Sequence, residues 1–163
     1  MSALSKFLLA GVLAAVPVAF SADLSADDQS FIDEAARAGM KEVHMGHLAL
    51  EKGMSQAVKG FAQRLVNDHT KANQQLSALA KKKGAQMPAD VADAVTSMPI
   101  AKKTGAEFDH DFAVEMIEGH QKVIDAFEKE AMSGRDPDLK KWAADTLPTL
   151  RGHLKEAQAL PHS

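Results

Sequence analysis

A chain of 163 residues with 19 basic and 22 acidic side chains carries a formal net charge of −3, which offers no electrostatic footprint for nucleic acid or anionic lipid. It contains no cysteine, which excludes both a disulfide framework and a lipoprotein anchor. Tyrosine is absent, aromatics make up 5%, and alanine, lysine, glutamate and leucine abound, a composition that favours helix over sheet.

Met1 to Ser21 reads as a secretory signal. Lys6 supplies the positive charge, Phe7 to Phe20 is an uncharged apolar run, and Ala19-Phe20-Ser21 offers small residues where a signal peptidase looks. The run is short for a membrane span, and no other apolar run approaches the length required. Cleavage near Ser21/Ala22 predicts an exported, periplasmic protein with no membrane span or lipid anchor. Residues 22–163 then form one domain; without Lys6, 18 basic side chains stand against 22 acidic, a net charge of −4.

Four amphipathic stretches follow. Ser25-Ala26-Asp27-Asp28 supplies a cap and acidic residues for a first helix from about Ala26 to Gly53. Its inner arc takes Phe31, Ile32, Ala35, Ala38, Gly39, Gly46, Ala49 and Leu50, small residues that suit close approach to a neighbouring helix. Glu42 falls within that arc, His44 projects away from it, and His47 sits at its edge. The second helix, capped by Ser55 and ended by Gly84, carries Val58, Phe61, Ala62, Leu65, Val66, Ala72, Leu76, Leu79 and Ala80 at steps of three and four. His69 lies near the centre of its apolar face.

From Gly84 to Thr104 the pattern dissolves around Pro88 and Pro99, with a short helical turn expected at Ala89 to Thr96. Thr104 with Glu107 predicts a capping box for the third long helix, whose arc includes Phe108, Phe112, Met116, Ile124 and Phe127, with His120 among them. Gly134 stops it. Asp136-Pro137 starts the fourth, which buries Leu139, Trp142, Leu147, Leu150 and Leu154, with His153 on the same side. Pro148 sits in its middle and should bend it. Two short hairpins joined by one long crossover between the second and third helices make an all-α, antiparallel four-helix bundle of the ferritin-like type.

Glu42, His69, His120 and His153 thus give each helix one inward ligand-type side chain. With both hairpins placed at the same end of the bundle, the first three fall within about one turn of each other and His153 about a turn further. Imidazoles with a carboxylate suit zinc, copper or iron. The competing reading is a satisfied polar layer that fixes helix register, with Thr146 and Thr149 available to His153. A di-iron carboxylate centre requires Glu-x-x-His motifs, but Val66, Ile117 and Leu150 occupy the positions three before the three histidines. His44 and His47, spaced i, i+3, read as solvated side chains. Met40, Met45, Met54, Met116 and Met132 do not cluster as a copper-binding box would. No phosphate-cradling loop or Ser–His–Asp arrangement appears, so covalent catalysis has no visible foundation.

Several phrases carry a resemblance: Val58-Lys59-Gly60-Phe61-Ala62, Asn67-Asp68-His69-Thr70-Lys71-Ala72-Asn73, Phe108-Asp109, Met116 with His120-Gln121, and Thr146-Leu147-Pro148-Thr149-Leu150 through His153-Leu154. From Ala26 to Leu160 the chain resembles an exported bacterial domain of unknown function that is labelled "predicted outer membrane protein" and regarded as ferritin-like. The resemblance implies the fold and export, and brings no activity or ligand set. The sequence therefore predicts a periplasmic bundle that binds a transition metal or small ligand in its core in a stress-protective role. The alternative is a structural or interaction module that uses its charged faces. A protein partner and a homo-oligomer both stay open.

Overall fold

Ser25 starts the first helix by a reciprocal cap. Its hydroxyl accepts from Asp28 N at 3.1 Å, and the Asp28 carboxylate accepts in return from Ser25 N at 3.4 Å and from the Ser25 hydroxyl at 2.7 Å, so the capping box satisfies two backbone amides at the helix start. The computed structural model describes residues 24–161, so the expected leader, Met1–Ser21, lies outside the described residues. The elements are α1 (Ala26–Lys52), α2 (Gln56–Lys83), α3 (Ala92–Thr96), a 3-10 turn (Pro99–Lys102), α4 (Gly105–Ser133) and α5 (Pro137–Gln158). No strand occurs among the described residues.

Local chemistry sets most of these boundaries. Ser55 accepts from Val58 N and begins α2; Gly84, at φ 68°, ends it in the left-handed conformation that glycine adopts without penalty. Asp136 accepts from Asp138 N and Leu139 N, and Pro137 occupies the first position of α5. The capping box expected at Thr104 does not form: the Thr104 side chain makes no cap hydrogen bond. Gly105 follows it at φ 65°, so the chain enters α4 through a glycine-dependent bend instead. α5 runs on through Pro148. Both Pro148 and Ala144, the residue whose carbonyl loses its helical donor, are exposed, so water can satisfy that oxygen.

The long helices form a four-helix bundle with a ferritin-like crossover. α1 packs along α2 and α4 along α5, with α1 against α4 and α2 against α5 closing the ring. Gly39 and Gly46 let α2 approach α1 closely. A methyl group at Gly46 would stand 2.7 Å from Val66 Cγ2, and one at Gly39 would overlap Asn73.

The sequence places both hairpin turns at one end of the bundle; the structure puts them at opposite ends. The Asp109 carboxylate, in the first turns of α4, accepts from Met54 N at 2.9 Å and Ser55 N at 2.8 Å, in the α1–α2 turn. Reciprocally, Asp28 Oδ1 accepts from Arg135 N at 3.0 Å and Asp136 N at 3.4 Å, in the α4–α5 turn. The physical reason is the crossover. Residues 84–104 carry the chain back along the bundle, so α4 begins beside the first turn and α5 begins beside the start of α1.

These two aspartates are buried, 1% and 4% exposed, yet each is satisfied by amides of the other hairpin. Asp109→Ala is expected to lower stability by about 2–4 kcal/mol, since two turn amides lose their acceptor inside the protein. Urea unfolding followed by circular dichroism checks this, and Asp109→Asn, which keeps one acceptor oxygen, should recover part of the loss.

Phe31, Leu65, Leu76, Phe112, Phe127 and Leu150 are all buried, as the periodicity predicts. They do not form one continuous core. Met45, Phe61, Leu65, Phe112 and Met116 belong to one apolar cluster, and Ile32, Leu76, Ile124, Trp142 and Leu150 to another. Along the helices, the buried histidines fall between the two.

Candidate metal centre

A long helix brings a histidine inward when its position falls on the apolar stripe, and α2, α4 and α5 each do so once. His69 is 7% exposed, His120 1% and His153 4%. Their rings meet at the bundle axis: centroids lie 5.7 Å apart for His69–His120, 5.3 Å for His69–His153 and 5.4 Å for His120–His153. Taking one ligand nitrogen from each, the three atoms all lie within 4.8 Å of one another. The opposed hairpins bring His153 to the common level, so the extra turn of offset expected for it is not seen.

Hydrogen bonding fixes two of the tautomers. His120 Nδ1 lies 2.8 Å from the Met116 carbonyl oxygen. A carbonyl only accepts, so Nδ1 carries the proton and Nε2 keeps a lone pair. His153 Nε2 lies 2.9 Å from Asp68 Oδ2; an ionised carboxylate also only accepts, so Nε2 donates and the lone pair is on Nδ1. Among the described residues, the buried imidazole nitrogens left without a partner are His69 Nε2, His120 Nε2 and His153 Nδ1. Burial of an unsatisfied polar atom costs about 1–3 kcal/mol, so three in one layer is a substantial standing penalty.

The electrostatics keep the His69 and His120 rings neutral. Burial, reinforced by the neighbouring imidazoles of His120 and His153, lowers the His69 pKa to about 3. Burial also dominates at His120, lowering it to about 4 against the opposing pull of the Met116 hydrogen bond. Neutral imidazole is the form that ligates metals.

Ligands at 2.0–2.1 Å around a metal stand about 3.4 Å from one another. Nitrogens within 4.8 Å reach that spacing by small ring rotations. The Asp68–His153 pair is the arrangement in which a carboxylate holds a ligating imidazole in its tautomer and orientation. Sequence reasoning missed Asp68. The residue next to His69 points away from it on a helix, and only the α2–α5 packing shows that it serves His153.

Glu42 is buried, 5% exposed, with Oε2 lacking a partner. It stands outside the group of three close nitrogens. With His69, His120, Asn73 and Thr146 it lines a cavity of about 20 Å³ beside them, room for about one water molecule. Burial raises its pKa to about 8, with Lys41 opposing and Glu115 adding to the rise. Of the remaining histidines named from the sequence, His44 pairs with Asp90 at 2.7 Å and His47 is exposed. No helix among the described residues is long and apolar enough to cross a membrane.

Comparison with known proteins gives the fold further support. A crystal structure of a DUF305 fragment from Deinococcus radiodurans superposes with a TM-score of 0.72 at 14% identity, covering 85% of this chain and 97% of that one. CopM in its Cu(I)-bound form superposes with a TM-score of 0.66 at 19% identity, covering 83% and 94%. CopM in an Ag-bound form obtained by soaking gives 0.64 at 20% identity over the same shares. Identities this low establish a shared bundle fold. No curated protein sequence matches the chain. The match that spans nearly all of it, residues 13–160, is to a domain of unknown function, and the chain belongs to that family, DUF4142.

Proposed function

We propose that this protein binds one copper ion in the core of its bundle through His69, His120 and His153, with Glu42 facing the ion across the adjoining cavity. The observation that carries the reading is the set of three buried imidazole nitrogens that have no hydrogen-bond partner and belong to the three clustered rings described above. Coordination supplies all three at once. Neutral imidazoles suit copper and zinc, and copper binds a given nitrogen set more tightly. A monovalent ion on three neutral ligands also places the least charge in the core. Structures of CopM in Ag-, Cu(I)- and Cu(II)-bound forms support this choice, since a protein of the same bundle fold binds these ions.

Lys6, the apolar run Phe7 to Phe20 and Ala19-Phe20-Ser21 support export to the periplasm with removal of residues 1–21. In that compartment a bundle that buries a redox-active ion would serve protection against metal stress. The site provides no carboxylate-rich constellation for ferritin-type oxidation.

The alternative is a polar layer that sets helix register. It is favoured by the position of the histidines between two apolar clusters, where a one-turn slip of any helix would bury a histidine in aliphatic surroundings. Metal content decides between them. Protein purified without a histidine tag and titrated with Cu(I), Cu(II), Ag(I) and Zn(II) is expected to retain one copper ion per chain after gel filtration, and to prefer it to zinc in competition. Retention of no ion under any of these conditions leaves the register layer as the reading.

A further inference from the structure

The histidines lie deep in the bundle, so an ion must cross a wall to reach them. The wall is one residue thick on the α1–α4 side. A surface groove of about 590 Å³ lies there between α1, α3 and α4, and Ala38, Glu42 and Val123 line both this groove and the small inner cavity. Of those three, only Glu42 carries a metal-binding group, and its Oε2 has no partner. Gly119, on α4, also lines the groove. A Cβ there would stand 3.3 Å from Glu42 Oε1, so the absent side chain leaves the carboxylate reachable from outside.

The opposite side differs. A groove of about 620 Å³ between α2 and α5 shares Ala72, Trp142 and Thr146 with the inner cavity. None of these three is a carboxylate; Asp68 and Asp145 line the outer groove without lining the inner cavity, and Asp68 is already engaged by His153 at 2.9 Å. The two lysines at the Glu42 mouth are paired, Lys41 with Glu115 at 3.0 Å and Lys122 with Glu34 at 3.8 Å, while Arg37, exposed on α1, also lines the groove. Two of the three basic groups at the mouth are thus neutralised by acids.

We propose that Glu42 is a transfer ligand: a transition-metal cation enters by the α1–α4 groove, is taken up by the Glu42 carboxylate at the gap left by Gly119, and passes by ligand exchange to His69 and His120. This route rests on the three-histidine binding reading and adds to it the direction of entry. Glu42 is a way-station and the histidines are the resting ligands, which accounts for a carboxylate that faces the same cavity yet stands apart from the three nitrogens.

Loading kinetics test it on the full metal-free chain. Cu(I) is supplied from a weak coloured chelator, and loss of the chelator's colour is followed by stopped flow. Glu42→Gln, which keeps the shape and removes the oxygen that can give up its proton to ligate the ion, is expected to slow loading by about tenfold or more while final occupancy stays at one ion. Gly119→Val, which places a side chain against the carboxylate, should also slow it. Thr149→Trp, which fills the opposite groove, should load at the wild-type rate. Three results overturn the route: Glu42→Gln loading at the wild-type rate, Glu42→Gln losing final occupancy, which would make Glu42 a resident ligand, or Thr149→Trp loading slowly. Circular dichroism confirms that each variant is folded, and Glu42→Gln decides alone where Gly119→Val is not. A wild-type chain that takes up no ion overturns the binding reading itself, before any rate is compared.

Discussion

His120→Leu is expected to abolish retention of the ion while leaving the metal-free protein at least as stable as the wild type. The two signs follow from the same atom. Nε2 of His120 is buried without a partner, so in the metal-free protein the ring carries a cost that leucine of similar volume does not. With metal present at a thousandfold excess over its dissociation constant, the wild type gains about 4 kcal/mol. For a domain of this size that is a rise of roughly 10 °C or more in thermal midpoint, and the variant should show none of it. Scanning calorimetry with and without Cu(I) measures both effects. Asp68→Ala should give a graded result, about 10- to 100-fold weaker binding, because it frees the His153 ring without removing a ligand. Leu76→Ala is the control. It should cost about 2–5 kcal/mol through a cavity in the second apolar cluster and leave one ion per chain. Metal-dependent stabilisation that survives His120→Leu would remove the three-histidine site from consideration.

The second large effect is on the pH dependence of the metal-free protein, which should be stable over a middle range and lose stability on both sides. His69 and His120 have depressed pKa values, about 3 and about 4, against about 6.5 in the unfolded chain. The unfolded state therefore takes up protons first as pH falls, and stability drops from about pH 6.5 down through the folded values. Glu42 and Glu130 are shifted the other way, to about 8 and about 7, burial being the leading cause for each. For them the unfolded state loses its proton first, so stability drops as pH rises from about 4.5 through 7 and 8. Between about 4.5 and 6.5 the two trends oppose each other. Below that window the histidines act unopposed, each at about 1.4 kcal/mol per pH unit, a large fraction of the stability of a small domain. Above it the glutamates act unopposed. Urea midpoints in chelator from pH 3.5 to 8.5 should trace this plateau, with Glu42→Gln flattening the alkaline side. A stability that climbs steadily to pH 8 would show that Glu42 is not held protonated.

The fold was largely legible because its signals are local. Ser25, Ser55, Gly84, Gly134 and Asp136-Pro137 each mark a helix end through their own backbone chemistry, and the apolar spacing picks out the inward faces. His69 stood out because it interrupts such a face. The levels were harder to read. Asp28 and Asp109 look like ordinary first-turn acids, and nothing near them in sequence says that their partners are amides 107 and 55 residues away. The crossover length, 84–104, held the missing information, since a segment that spans the bundle must put the second turn at the far end. Glu42 was legible as an inward carboxylate. That it faces a small cavity beside the histidines depends on how α1 and α4 pack, which periodicity does not encode.

The exchanged aspartates also bear on how the chain can fold. Each hairpin turn is completed by a residue of the other hairpin, across 54 and 55 residues in one case and 107 and 108 in the other. Neither helical hairpin is therefore a self-sufficient unit. A nascent chain that ends before Asp109 has Met54 N and Ser55 N without their acceptor, and the Asp28 carboxylate waits for a turn that is synthesised near the end. Locking both turns is a late, concerted event with a long loop to close, so unfolding should expose the histidine layer and both turns together rather than one hairpin at a time.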